Sequence, residues 1–355
     1  METPVYTFRV PESDPTSFAF LLYGGTNTRE AASVDAVYNE AHEMLVNQML
    51  QDLASQQGDF PEIAGKLRFA VHLGDIGYDG GRHAGWNEQL FWPAAGLMRE
   101  LPYLPVPGDM DYGAEKPEGQ NALRAFLDWP NEPPGNQAFS YSFDLGRARF
   151  VIGDAGDSRH DSSYGDFIRT AIDDIKDNLE DFDWRFVFYH TPGYAESLAK
   201  PFFPRDPPDS YTEGWQIRQT LFSNEDSLAD AARHVTMIAC GHNHQYERAS
   251  ILPTGEPLLP QFVIGRAGFH SEGDAPWPTQ VDFYEDPGRT SGSRQIPQPS
   301  QEDVEKSWLG YAFVLVAPDG VNPAVVRVKS RMFKLNPAET ELTFVFEEVL
   351  DLQER

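Results

Sequence analysis

Three short runs carry side chains able to do chemistry: Gly241-His242-Asn243-His244, Gly74-Asp75-Ile76-Gly77-Tyr78 and Gly108-Asp109-Met110-Asp111. The first is the most specific, because composition alone predicts a Gly-His-x-His run only about 0.02 times in this chain. Two imidazoles two residues apart beyond a strand end reach into one cleft, and neutral imidazole is a common transition-metal ligand. Asp75 and Asp109 each follow a glycine. A carboxylate so placed can hold or bridge cations, or it can close an Asx turn and do nothing more. Tyr78 offers a phenolate to a Lewis-acidic metal, or an aromatic core residue with a satisfied hydroxyl. His190 ends the apolar run Val187-Phe188-Tyr189. Cys240 is the single cysteine, so neither an intrachain disulfide nor a cysteine-rich zinc site is available, and a metal must rest on His, Asp, Glu, Asn or Tyr.

Positioning these groups requires strands, and the pattern supplies them. Phe18 to Tyr23, Phe69 to Leu73, Tyr103 to Val106, Trp184 to Tyr189 and Val235 to Cys240 are short apolar runs, and each ends on Gly, Asp or His. Between them lie segments of helical period. Val34, Val37, Tyr38, Ala41, Leu45 and Met49 form one stripe over residues 31–54, Trp86, Leu90 and Leu97 mark a second helix, and a third is expected around Phe167 to Leu179. Tyr141 to Leu145 and Ala148 to Ile152 read as a hairpin across Gly146. Alternation of this kind predicts an α/β domain, in which ligands sit at the carboxyl ends of strands. Residues 271–308, rich in Pro, Gly, Ser and acidic side chains, read as a long surface excursion, and Tyr311 to Leu350 as three strands with turns at Asp319-Gly320 and Asn336-Pro337.

Taken in order, these runs resemble the motif blocks of the calcineurin-like metallophosphoesterase superfamily, and within it the purple acid phosphatase-like branch. The blocks of that branch are Asp-x-Gly, Gly-Asp-x-x-Tyr, Gly-Asn-His-Asp/Glu, Val-x-x-His and Gly-His-x-His. The second, fourth and fifth stand intact at Gly74 to Tyr78, Val187 to His190 and Gly241 to His244, the last followed by Tyr246-Glu247-Arg248. The resemblance implies a four-layer α/β/β/α sandwich of two mixed β-sheets flanked by helices, with a short N-terminal extension (1–16) before one domain (17–355). It also implies two divalent metal ions, zinc, manganese or iron, on which a bound hydroxide hydrolyses phosphate esters. Asp75 would bridge them, Asp109, His190 and His242 would complete one site, and Tyr78 and His244 would serve the other. Two blocks depart from the pattern. Gly25 stands where the first aspartate is expected, and Asp109-Met110 replaces Asn-His. One metal site is therefore expected to be tight and the other weakened, with water or Asn27 filling the open position. Met110 can neither transfer a proton nor donate a hydrogen bond to phosphate, so activity is expected to be reduced. Asn27, His160 and His270 are substrate-side candidates, the two histidines having an ordinary surface role as the alternative. His72 reads as structural.

The formal charge of −27, from 55 acidic against 28 basic residues, opposes nucleic-acid phosphates and anionic headgroups. The expected partner is a small phosphorylated substrate, with no nucleic acid and no membrane. No apolar run is long enough to span a bilayer. The start, Met1-Glu2-Thr3-Pro4-Val5, lacks a charged region followed by an apolar one, so the expectation is a cytoplasmic protein or a secreted one whose signal has been removed. Two functions follow: a metal-dependent phosphoric-ester hydrolase, or a catalytically impaired protein of the same fold that binds metal or a phosphorylated ligand.

Overall fold

A short run that is apolar at every position reads as a strand buried on both faces, and Phe18–Tyr23 is such a run; Trp184–Tyr189 is apolar but for Arg185, and both are buried along their full length. A computed structural model of the chain describes residue 15 and residues 17–26, 39–54, 63, 65–77, 83–112, 121–125, 127, 139–154, 170, 174–192, 234–242, 246–252, 259–265, 279–284, 293–294, 308–317, 325–335 and 341–352. Its first half contains β1 (Phe18–Tyr23), α1 (Glu40–Ala54), β2 (Leu67–His72), α2 (His83–Trp86), α3 (Ala95–Glu100), β3 (Tyr103–Pro105), β4 (Tyr141–Leu145), β5 (Ala148–Gly153) and β6 (Trp184–Tyr189). The second half is β7 (Met237–Cys240), β8 (Tyr246–Leu252), β9 (Leu259–Ile264), β10 (Thr279–Tyr284), β11 (Ser293–Arg294), β12 (Trp308–Ala317), β13 (Val325–Leu335) and β14 (Leu342–Leu352).

The strands form two mixed sheets of an α/β fold. One runs β14-β13-β12-β1-β2-β3 and the other β11-β10-β8-β9-β7-β6-β5-β4. Parallel pairing of β1 with β2 and β2 with β3 in the first sheet, and of β5 with β6 and β6 with β7 in the second, gives each sheet a block of strands with their carboxyl ends together. Phenylalanines fill the space between the sheets. Phe20 of β1 meets Phe150 and Phe186 of the opposite sheet edge-on, with ring centroids 5.4 and 5.1 Å apart, and stacks on Phe69 at 5.3 Å.

Helix α1 covers the outer side of the first sheet, against β12 and α3. Ala41, His42, Leu45, Val46, Met49 and Asp52 make its buried stripe. Asn39 caps its start by accepting the His42 amide at 2.9 Å.

The second predicted helix is divided: α2 runs into a π-helical turn at Asn87–Phe91, and α3 begins only after Pro93. Proline lacks the amide that would continue the ladder. Residues 174–177 are helical and bury Ile175, within the third predicted helix. Within residues 271–308, which the sequence reads as a long surface excursion, lie the short strands β10 and β11. Thr279–Tyr284 pairs in parallel with β8, from Thr279↔Glu247 to Tyr284↔Leu252, so a strand edge left open by β8 captures a segment whose composition reads as loop. The expected turns at Asp319-Gly320 and Asn336-Pro337 lie outside the described residues, as do most of residues 1–16.

Candidate metal centre

Four strands deliver four side chains to one point. Asp75 follows β2, Asp109 follows β3, His190 follows β6 and His242 follows β7, and one donor atom from each lies within 4.8 Å of all the others. Glycines allow this approach. A Cβ on Gly108 would sit 2.2 Å from the Asp75 amide nitrogen, and one on Gly74, whose φ is +90°, would sit 2.3 Å from His190 Nδ1. The Gly-Asp spacing thus records two backbones packed too closely for any side chain. Asp75 and His242 themselves take left-handed backbone, φ +57° and +60°. Such strain in non-glycine residues is retained where surrounding structure over-determines it, often at functional sites.

The donor geometry fits a metal. His190 Nε2 lies 3.2 Å from Asp75 Oδ1, 3.2 Å from Asp109 Oδ1 and 3.3 Å from His242 Nδ1, and His242 Nδ1 lies 3.3 Å from Asp109 Oδ1. Four tetrahedral donors around a zinc-sized ion have edges of about 3.3 Å. His190 Nδ1 donates to the Leu73 carbonyl at 2.8 Å, which fixes the ring and leaves Nε2 aimed at the cluster, as in histidines that ligate metals. Asp75, Asp109 and His190 are buried, while the His242 side chain is 27 % exposed, so the centre opens on its His242 side.

Electrostatics agree with the geometry. Burial pulls the His190 imidazole down, but Asp75 and Asp109 outweigh it and hold the group well above its ordinary range. His242 is raised in the same way, burial being overcome chiefly by Asp109. Burial acts to raise Asp109, and hydrogen bonds from the two imidazoles bring it well below the usual carboxylate range. The two carboxylates hold both imidazoles toward their charged form, and a divalent cation bound there would take over that compensating role, its uptake releasing the protons it displaces.

Three further residues, which motif reading left without a role, build the walls. Asp111 is fully buried, and its carboxylate accepts the amides of Ile76 at 2.7 Å, Gly77 at 2.9 Å and Gly108 at 2.7 Å, joining the Asp75 loop to the Asp109 turn. Burial and the Asp75 charge push its carboxyl up to about 7, against the pull of those amides. Asp154 ends β5 beside His190 in register, since Gly153 pairs with Tyr189. It accepts the Phe139 amide at 2.8 Å and the Tyr112 hydroxyl, and so holds the Asp109–Tyr112 turn to the second sheet. Its place at a strand end was a signal in the sequence. Thr26, at the end of β1, is fully buried, and nothing in its surroundings in sequence marks it. Of the departures from the motif blocks, Gly25 has φ +66° and donates its amide to the Gly74 carbonyl at 3.0 Å. Met110 gives its amide to Asp75 Oδ1 at 3.2 Å.

Tyr78 and His244, the expected ligands of a second metal, and the substrate-side candidates Asn27, His160 and His270 lie outside the described residues. Among the described residues no helix is long and apolar enough to cross a membrane. No family model matches the chain, and no curated protein matches it. A solved structure described as a novel phosphatase from Mycoplasma pneumoniae matches at 10 % identity and a TM-score of 0.35, covering 95 % of this chain and 94 % of its own. From a likeness that loose, neither fold nor activity is carried over.

Proposed function

We propose that the chain is a metal-dependent hydrolase of phosphate esters, of the purple acid phosphatase-like kind, with a metal held by Asp75, Asp109, His190 and His242. The observation that carries the reading is the convergence of these four donors, each within 4.8 Å of the others and four of their pairs 3.2–3.3 Å apart; the order of the intact motif blocks supplies the reaction class. A bound divalent cation would supply Lewis acidity toward phosphoryl oxygen. The chain's own contribution is to fix that site. Leu73 orients His190, and Asp111 joins the two carboxylate-bearing loops. His242, on the open side, faces the direction from which a substrate arrives. With a charge of −27, the surface favours small phosphorylated molecules over nucleic acid or anionic membranes. Tyr78 and His244 would hold a second, weaker ion, with Asn27, His160 and His270 toward the substrate.

A second reading, a metal or phospho-ligand binder with little turnover, is favoured by Met110. Its amide is committed to Asp75 and its thioether donates no proton. One experiment tests both: elemental analysis of the purified protein, with phosphomonoesterase and phosphodiesterase assays under added zinc, manganese or iron. The assays compare the parent with the combined Gly25→Asp, Asp109→Asn, Met110→His variant. The hydrolase reading predicts bound metal and a rate that rises about 10²- to 10³-fold in the variant, the usual worth of one electrostatic transition-state contact. Bound metal with no hydrolysis by either protein selects the binder, and absence of metal from the parent overturns both.

A further inference from the structure

Asp75 reaches the cluster from a left-handed turn, φ +57°, a conformation that an aspartate keeps only when its surroundings hold it. One side of that turn is held by Asp111, through the amides of Ile76 and Gly77. The other side is held by Thr26. Its amide donates to the Asp75 carbonyl at 3.0 Å, and its hydroxyl donates to the carbonyls of Ile76 at 3.2 Å and Asp75 at 3.4 Å. The single hydroxyl proton being used there, the lone pair accepts from His72 Nε2–H at 3.0 Å. Thr26 is itself fixed, because its carbonyl accepts the Asn39 side-chain amide and Asn39 also caps α1.

We propose that Thr26 and His72 are positioning residues for the metal ligand Asp75, the hydrogen-bond chain from His72 through the Thr26 hydroxyl holding the turn that points Asp75 Oδ1 into the cluster. The inference rests on the metal-centre reading and extends it to residues that touch neither metal nor substrate. His72 is otherwise hard to account for. It lies on the opposite face of β2 from the sheet-to-sheet core, its ring 4.8 Å from Tyr23 and 5.9 Å from Tyr103, and its Nδ1 is buried without a hydrogen-bond partner. An apolar side chain would fill that space without the desolvation cost of a polar ring. What an apolar side chain could not do is donate to Thr26.

The test uses the full chain and four variants: Thr26→Val, which keeps shape and loses the hydroxyl; Thr26→Ser, which keeps it; His72→Gln, whose amide can place an N–H where Nε2 stands; and His72→Phe. Val328→Ala, a core truncation in β13 away from the cluster, controls for general destabilisation. Zinc and cobalt affinities by chelator competition, the visible spectrum of the cobalt form and the melting temperature of the metal-free proteins are measured for each. Thr26→Val and His72→Phe are expected to weaken metal binding 10- to 100-fold and to change the cobalt bands, the usual effect of losing an outer support of a ligand. Thr26→Ser and His72→Gln restore affinity and spectrum, and Val328→Ala lowers the melting temperature alone. Parent-like affinity in Thr26→Val overturns the proposal, as does an equal loss in Val328→Ala. If Thr26→Val does not fold, equal affinities in His72→Gln and His72→Phe overturn it. A parent that binds no metal at all defeats the metal-centre reading instead.

Discussion

His190 and His242 at the strand ends, and His42 and His72 between α1 and the first sheet, are four imidazoles of the same intrinsic basicity held on opposite sides of it. The first pair stands against Asp75 and Asp109, whose charges outweigh burial and raise both pKa values. The second pair stands among aromatic rings. His42 lies 5.7 Å from Tyr23 and 6.5 Å from His72; burial takes His42 down to about 4, and burial together with the His42 ring holds His72 well below its usual value, the Asp75 charge offsetting only part of this. Burial does not by itself decide what a histidine does; the charge that shares its pocket does. Where two carboxylates share it, the interior is prepared for a cation. Where tyrosines share it, the imidazole stays a neutral hydrogen-bonding group, His42 giving its Nδ1 proton to the Gln89 carbonyl at 2.8 Å.

The largest expected effect breaks the comparison at its charged end. His190→Ala removes a donor and leaves Asp75 and Asp109 facing each other in the interior. Metal affinity, read by chelator competition, should fall by more than about 100-fold, beyond the range of outer-support changes, whereas His42→Gln should leave it where it was.

The next effect lies at the neutral end and appears in pH. His42 has a folded-state pKa of about 4 against 6.5 unfolded. Between those values the unfolded chain binds a proton that the folded one refuses, so stability is full above about pH 6.5 and falls on acidification. The slope is about 1.4 kcal/mol per pH unit, reaching roughly 3 kcal/mol at pH 4. Denaturant titrations from pH 7 to 4 should show this loss, and His42→Gln should remove the His42 share of it while leaving that of His72, which burial also lowers.

A smaller effect sharpens the contrast between ligands and supports. Asp111→Asn puts amide hydrogens against at least one of the three backbone amides that Asp111 accepts. It should cost about 1–3 kcal/mol, the penalty for leaving a buried donor without an acceptor, and weaken metal binding as the Asp75 and Asp109 loops separate. Urea melts and zinc titration of the one variant measure both. Smallest is Tyr103→Phe, which deletes a buried hydroxyl whose polar side-chain neighbour is the Tyr23 hydroxyl. It should change stability by less than about 1 kcal/mol and metal affinity not at all, both read in the same two assays.

Much of this arrangement could be read from the chain. Phe18–Tyr23 and Trp184–Tyr189 have the bounds that their runs predict, and residues just beyond strands supply the whole described cluster: Asp75, Asp109 and His242 through a Gly-Asp or Gly-His step, and His190 as the polar residue that ends Val187-Phe188-Tyr189, each a local signal. What stayed hidden is non-local. Thr279–Tyr284 becomes a strand because β8 offers it an edge, which its own composition does not record. Asp111 acts on amides 34 and 35 residues away, and Thr26 on a turn 49 and 50 residues away. No periodicity or spacing points to either, since their partners are backbone atoms that every residue carries. His72 read as structural, and its hydrogen bond to Thr26 gives that reading a definite partner.

The central claim is that Asp75, Asp109, His190 and His242 hold a metal ion, and that this is the tighter of the expected sites. Crystals grown with zinc and measured at its absorption edge test it directly. The account predicts the strongest anomalous peak about 2.0–2.2 Å from Asp75 Oδ1, Asp109 Oδ1, His190 Nε2 and His242 Nδ1. A peak on the Tyr78 and His244 side with none among these four atoms, or no peak at either place, would contradict it.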